Sequence, residues 1–289
     1  MPPKVTILKG LPASGKTTYA KEWCAQESHQ NHIRINYDEL RTSMFGDVPW
    51  TRENEVKMKA EALRQATDLL NTGWSLVIDN TNLSRGARKP WVDLGQQMGV
   101  PVAIHEMPTT RRDCIDRDSK RTGKARVGQA VIDRMALFHG LIDWSDDRLV
   151  LVDMDGTLAD TSTRQHFVEQ SPKDWDGWHA HVGEDAIKID IADVVDALAA
   201  TSTIVIVSGR AIDRAGTATE DWLNQYAVPF NYLFMRNGGD FRPDTVVKKE
   251  ILDLLPKDRI LCVLDDRDSV VEMWRANGLT CLQVAKGAF

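Results

Sequence analysis

The segment Gly10-Leu11-Pro12-Ala13-Ser14-Gly15-Lys16-Thr17 directly follows an apolar run at 5–8 and opens an amphipathic stretch at 16–26. This feature constrains the fold more than any other. A G-x-x-x-x-G-K-T loop turns its backbone N–H groups onto phosphate only when a strand feeds it and a helix leaves it. A strand–loop–helix unit must return to a parallel neighbour by a crossover, so the chain is expected to be α/β.

The rest of the sequence repeats that alternation. Runs at 33–36, 76–79 and 102–105 read as strands, and 53–71, 88–98 and 131–140 read as helices. The polar stretch 143–148 breaks the pattern, and an apolar run at 149–152 restarts it. Further strands are expected at 204–207, 232–235, 260–264 and 282–284, with helices at 191–199, 219–226 and 269–276. With 289 residues available, the reading is two domains, 1–145 and 146–289, each a mostly parallel sheet flanked by helices.

In the first domain Gly10, Ser14, Gly15, Lys16, Thr17 and Thr18 are the candidates for binding a nucleoside triphosphate. Lys16 is expected on the β- and γ-phosphates and the Thr17 hydroxyl on Mg²⁺. An acceptor hydroxyl needs a base, and Asp38 follows the second strand with Arg41 three residues on. If a helix starts there, both lie on one face. The competing reading makes Asp38 only a helix N-cap. Asp79, at the end of the third strand, reads as a metal ligand, as an orienter of Arg41, or as a turn residue. The most basic segment, 111–126, offers Arg117 and Arg121 for charge on the transferring phosphoryl group, or else a solvated basic helix face.

The second domain opens on Asp153-Met154-Asp155-Gly156-Thr157. Two carboxylates spaced i, i+2 after a buried strand can divide the hydrolysis of a phosphate ester. Asp153 would attack phosphorus, and Asp155 would protonate the leaving oxygen and then activate water. So much negative charge needs a cation, and Asp265 and Asp266 are expected to complete a Mg²⁺ site with Asp153 and Asp155. Ser208 and Arg210 follow another strand and suit phosphate oxygens, while Lys248 suits the charge on an aspartyl-phosphate. In parallel sheets such residues collect beyond the carboxyl ends of the strands.

A net charge of -6 argues against a protein that coats nucleic acid, but not against one that grips a strand end through a local basic patch. The four cysteines are scattered without metal-ligand spacing, which fits reduced thiols and a cytoplasmic location. No apolar run approaches the roughly 20 residues that span a bilayer.

On these motifs the chain resembles the bacteriophage-type polynucleotide kinase/3′-phosphatase. The likeness covers nearly the whole sequence and includes Asp38-x-x-Arg41, Asp79-x-Thr81-Asn82, Ser119-Lys120-Arg121, Ser208-Gly209-Arg210, Val246-Val247-Lys248 and Asp265-Asp266-Arg267. It implies a P-loop kinase that moves the ATP γ-phosphate to 5′-hydroxyl ends of DNA or RNA. It also implies a phosphatase of haloacid-dehalogenase type that removes 3′-phosphates. By the same likeness Asp38 is the kinase base, Arg41 meets an acceptor-side phosphate and Arg121 the donor phosphates. Arg164, Arg210 and Asp244 match positions needed by the phosphatase. A homotetramer and hand-off of healed ends to a ligase are further implications. The Trp-rich segment 174–179 looks longer than in that type; its aromatics either stack on a terminal base or pack a small cap. The alternative function is a small-metabolite kinase joined to a small-metabolite phosphatase. A non-catalytic end-binding module would have no use for both Lys16 and Asp153.

Overall fold

Strand β1 (Val5–Lys9) lies inside its sheet although it is the first element of the chain. The computed structural model describes residues 2–26, 31–48, 51–145 and 148–287. After β1 come β2 (His32–Ile35), β3 (Ser75–Ile78) and β4 (Val102–Glu106), all parallel, in the order β2-β3-β1-β4. The chain leaves β1 to one side for β2 and β3, then crosses to the other side for β4. That reversal opens a crevice at the carboxyl end of β1, where the glycine-rich loop sits.

A second parallel sheet repeats this logic. It contains β5 (Leu149–Val152), β8 (Thr203–Ala211), β9 (Tyr232–Arg236), β10 (Ile260–Arg267) and β11 (Cys281–Gly287), in the order β11-β10-β5-β8-β9. Two short strands, β6 (Ala159–Asp160) and β7 (Ala186–Ile187), form a separate antiparallel pair. The run Leu149–Val152 is apolar at every position because both faces of the sheet are covered. Val150 and Val152 join one core cluster with Ile204 and Ile206, whereas Leu149 and Leu151 join another with Val205 and Val207. The first sheet does the same: Val5, Ile7 and Ile78 face one cluster, Leu8 and Val77 the other. Each such side chain contributes about 1.5–3 kcal/mol on burial.

The nine expected strands form, and several run further than the sequence suggested. The expected helix at 219–226 is the second half of Ile212–Gln225. Its first half carries Ala215 and Gly216, both buried, small residues that periodicity does not flag. Helices Tyr37–Phe45, Arg111–Ser119 and Asp244–Leu252 are mostly polar, so hydrophobic pattern alone gave little sign of them.

By packing, the chain divides into compact units Met1–Arg117 and Asp118–Phe289, ahead of the expected 145/146 boundary. The helix Gln129–Phe138 belongs to the second unit. Its Asp133 carboxylate accepts from the Leu233 N–H at 2.7 Å, and the Gln129 N–H donates to Glu220 at 2.7 Å. Among the described residues no helix is long and apolar enough to cross a membrane, and all four cysteines are free thiols.

Candidate active sites

The loop after β1 is built around two tight positions. Gly15 adopts φ +95° at the head of helix Lys16–Ala25, a left-handed backbone that glycine takes without strain. A methyl group on Gly10 would come within 2.6 Å of the Ser14 hydroxyl. The buried Lys16 ammonium donates to the carbonyls of Gly10 at 3.0 Å and Leu11 at 2.6 Å, and to Ser14 Oγ at 3.3 Å. Thr17 and Thr18 are exposed at the start of the helix. Thr109 Oγ1 donates to the Ser14 carbonyl at 2.8 Å, and Arg117 Nη1 stands 3.6 Å from the point a Gly15 methyl would occupy. Of the two arginines singled out in the basic segment, Arg117 thus lies beside the loop. Arg121 belongs to the second unit, with Nη1 3.5 Å from Asp118.

Asn36, not Asp38, caps helix Tyr37–Phe45, its side chain accepting from the Glu39 N–H. The capping alternative for Asp38 therefore falls. Its carboxylate is 87% exposed and pairs with Arg41 at 2.7 Å. Arg41 is held from its other side by Glu55 at 2.9 Å, a residue the sequence reading missed because it comes from the next helix, Arg52–Asn71. Asp79 does not orient Arg41. It is buried and pairs with Arg34 at 2.7 Å. Gly10 N–H donates to the Thr81 carbonyl, and the Asn82 amide donates to Leu8 O, so the turn after β3 supports the loop after β1.

In the second unit, Asp153 follows β5 and its N–H donates to Leu264 O on β10 at 3.0 Å. Among the described residues, carboxylate oxygens of Asp153, Asp265 and Asp266 lie within 4.8 Å of one another, and all three residues are buried. The Lys248 ammonium, from helix Asp244–Leu252, sits 2.8 Å from both Asp153 and Asp265. Trp274 Nε1 also donates to Asp265. Burial pushes the Asp153 carboxyl well above its usual range, more than Lys248 pulls it down, with Asp265 and Asp266 adding to the rise. Burial likewise disfavours the Lys248 charge, but Asp153 and Asp265 outweigh it and raise the ammonium's pKa. Three carboxylates facing one ammonium suit a hard divalent cation with oxygen ligands. Gly156 is required here: at φ +82°, a methyl group would meet Asp266 Oδ2 at 2.2 Å.

Asp155 was expected to share that metal, but its carboxylate turns elsewhere. It takes Arg210 through Nη2 at 2.6 Å and Nε at 2.9 Å, and it also pairs with Arg164. Burial would raise its pKa, yet the guanidiniums of Arg210 and Arg164 outweigh burial and hold it well below the usual carboxylate range. Both arginines are also gripped by Asp185, Arg164 at 2.7 Å and Arg210 at 2.8 Å. Two acids and two arginines thus form a charge-balanced square, buried except at Asp155. Asp185 lies just before β7 with no motif around it, so nothing in the sequence marked it. Ser208 is fully buried and its Oγ accepts from the Arg210 N–H at 3.2 Å. Asp244 stands apart from the carboxylate cluster, pairing with Arg236 and, at 2.6 Å, with Arg267.

These groups open into a cleft of about 340 Å³ with Asp153, Asp155, Arg210 and Lys248 among its walls. The two tryptophans above it have separate roles. Trp178 is buried, with the Arg164 guanidinium 3.9 Å from its ring. Trp175 is 45% exposed and lines the cleft.

A phosphate-binding loop at a sheet switch point, and an acid–lysine cluster at the switch point of a second sheet, define a P-loop domain joined to a phosphatase domain of haloacid-dehalogenase type. Residues 147–289 match the model of the polynucleotide kinase PNKP phosphatase domain, and residues 5–140 match that of an AAA domain. The match to the polynucleotide kinase type is thus a match of the second domain, residues 147–289. A bifunctional polynucleotide phosphatase/kinase of Schizosaccharomyces pombe is 32% identical over 103 residues, 35% of this chain and 21% of that protein. An Arabidopsis thaliana protein named transcription factor bHLH140 is 34% identical over 120 residues, 41% of this chain and 12% of that protein. The chain thus matches about a fifth or less of the length of these relatives. A chain in the structure of a Pnkp1/Rnl/Hen1 RNA repair complex aligns with all of this chain and 97% of its own length, at 23% identity and a TM-score of 0.44. Domains of these two kinds use ATP and a divalent metal.

Proposed function

We propose that this chain heals nucleic-acid ends, phosphorylating 5′-hydroxyls from ATP and removing 3′-phosphates to leave termini that a ligase can seal. The observation that carries the proposal is the pairing, in one chain, of a complete phosphate loop with a buried Asp153–Lys248–Asp265 cluster in a polynucleotide kinase-type phosphatase domain.

In the kinase half, Lys16, the loop amides and Arg117 receive the triphosphate, and the Thr17 hydroxyl would hold its Mg²⁺. Asp38 takes the proton of the 5′-hydroxyl as its oxygen bonds to the γ-phosphorus and the β–γ bridging bond breaks. Arg41, braced by Glu55, holds an acceptor phosphate.

In the phosphatase half, Asp153 attacks phosphorus, the bond to the 3′-oxygen breaks, and Asp155 supplies that oxygen with a proton. Water then cleaves the aspartyl-phosphate, returning a proton to Asp155. The arriving phosphate competes for the guanidiniums of Arg164 and Arg210, which frees Asp155 to carry the proton. Asp153, Asp265 and Asp266 would hold a divalent metal such as Mg²⁺, which would supply Lewis-acid stabilisation of the phosphoryl charge. Lys248 neutralises the aspartyl-phosphate, Ser208 fixes the irregular end of β8 that carries Arg210, and Asp244 holds Arg236 and Arg267 at the cleft.

The test uses one oligonucleotide with a 5′-hydroxyl and a 3′-phosphate, incubated with Mg²⁺ with and without ATP. Mass spectrometry should show ATP-dependent gain of phosphate at the 5′ end and ATP-independent loss at the 3′ end. No change at either end, in protein that still hydrolyses a small phosphate ester, would refute the proposal and indicate metabolite substrates.

A further inference from the structure

The end of β8 is irregular where it carries Arg210. Its pairing with β9 runs from Val205 to Ser208 and resumes at Ala211, opposite Arg236, so Gly209 and Arg210 interrupt the ladder. Backbone groups that lose ladder partners inside a protein must find others. Three side chains supply them here. Arg236 Nε donates to Gly209 O at 2.8 Å, Ser208 Oγ accepts from the Arg210 N–H at 3.2 Å, and His179 Nε2 accepts from the Ala211 N–H at 3.2 Å.

Ser208 and Arg236 belong to the sheet itself. His179 comes from helix Trp175–Ala180, in the segment between β6 and β7. Its Nδ1 stands 2.8 Å from the Trp175 carbonyl one turn back. A carbonyl only accepts, so Nδ1 carries the ring proton and Nε2 keeps the lone pair that the Ala211 N–H needs. The ring is thus held as one neutral tautomer between its own helix and the strand end. Asp176, on the same short helix, pairs with Arg214 of helix Ile212–Gln225, which begins one residue after Ala211. Two contacts therefore seat this helix on the corner where β8 ends. His179 also lines the cleft with Asp155 and Arg210. The charged groups around it are Asp155, Arg164 and Arg214. Burial lowers its pKa; the Trp175 carbonyl and Asp155 favour the charged ring, and Arg214 and Arg164 oppose it.

We infer that His179 is a positioning residue of the phosphatase: by accepting from the Ala211 N–H it fixes the strand end that aims the Arg210 guanidinium at Asp155, and it does so only while its ring is neutral. The inference rests on the phosphatase half of the end-healing reading, and it makes the segment between β6 and β7 part of the support of Arg210. Protonating Nε2 would set two donors against each other, and the backbone around Arg210 would lose one of its three ties. The support is present above the pKa of the ring and is lost as pH falls through it.

The experiment measures kcat/KM on a 3′-phosphate oligonucleotide between about pH 5 and 8, for the full chain and for His179→Gln and His179→Ala. A glutamine Oε1 can accept from the Ala211 N–H and does not titrate. His179→Gln should match the wild type near neutral pH and outlast it in acid, so the ratio of wild type to His179→Gln falls as pH drops. Titrations of Asp153 and Asp155 are common to both and cancel in that ratio. His179→Ala should be about ten- to a hundredfold slower near neutral pH, the scale of a small misplacement at an active site, and should approach the wild type in acid. Phosphorylation of 5′ ends should be unaffected throughout. A merely structural defect would lower a variant by the same factor at every pH. A flat ratio of wild type to His179→Gln, or a His179→Ala variant as fast as the wild type at neutral pH, would overturn the inference. Should a variant fail to fold, ¹⁵N chemical shifts of the His179 ring in the wild type give the answer: a proton on Nδ1 alone at neutral pH supports the inference, and a proton on Nε2 overturns it. If the oligonucleotide keeps its phosphate while p-nitrophenyl phosphate is hydrolysed, the end-healing reading fails, and the same ratios on p-nitrophenyl phosphate still test His179.

Discussion

Asp185 holds the Arg210 guanidinium at 2.8 Å, and both residues are buried. Since Arg210 and Arg164 each touch Asp155 as well, Asp185 sets where the two guanidiniums stand and neutralises the charge that Asp155 does not.

Removing the Asp185 carboxylate should therefore cost both stability and function. Asp185→Ala leaves two buried guanidiniums short of a partner, and breaking a buried pair in this way costs about 3–5 kcal/mol. Asp185→Asn keeps one acceptor oxygen and should cost less. Thermal denaturation of both variants, alongside 3′-phosphatase assays, checks this order; equal melting temperatures for wild type and Asp185→Ala would contradict it.

The two chemistries should separate by single substitutions. Lys16→Ala is expected to abolish ATP-dependent 5′ phosphorylation and leave 3′ dephosphorylation close to normal, and Asp153→Asn to do the reverse. Assaying both ends of one oligonucleotide reads both outcomes. Loss of both activities from either change, in folded protein, would sink the two-site model.

Gly156→Ala should disable the phosphatase. The added methyl would lie 2.2 Å from Asp266 Oδ2 at a φ of +82°, so Asp266 must move away from Asp153 and Asp265. Weaker divalent-metal binding by calorimetry, with 5′ phosphorylation retained, is the expected signature.

Metal dependence should also appear as stability. A cation that binds only the folded cluster of Asp153, Asp265 and Asp266 stabilises it by mass action, about 2.7 kcal/mol at a hundredfold excess over Kd. Mg²⁺ should raise the melting temperature of the wild type and raise it much less for Asp266→Asn. An equal rise in both would place the bound ion elsewhere.

Glu55→Ala should loosen Arg41, which Glu55 holds at 2.9 Å opposite Asp38. The expected result is a several-fold higher KM for the 5′-hydroxyl strand with the KM for ATP nearly unchanged. A change confined to ATP would reassign Arg41 to the donor side.

Sequence alone determined the elements that depend on local pattern. The buried strands were legible as apolar runs, since a parallel sheet covered on both faces asks for nothing else of β1, β5 or β10. The loop from Gly10 to Thr17 and the acids Asp153, Asp265 and Asp266 were legible because backbone geometry ties them to strand ends. Tertiary structure decided what depends on partners distant in the chain. It turned Asp155 from the metal cluster to Arg164 and Arg210, paired Asp79 with Arg34 in place of Arg41, and braced Arg41 with Glu55. It brought in Asp185 and buried Trp178 while leaving Trp175 at the cleft. A motif fixes where a carboxylate leaves the backbone. Which cation it meets is set by electrostatics among side chains that only folding brings within a few ångströms of one another.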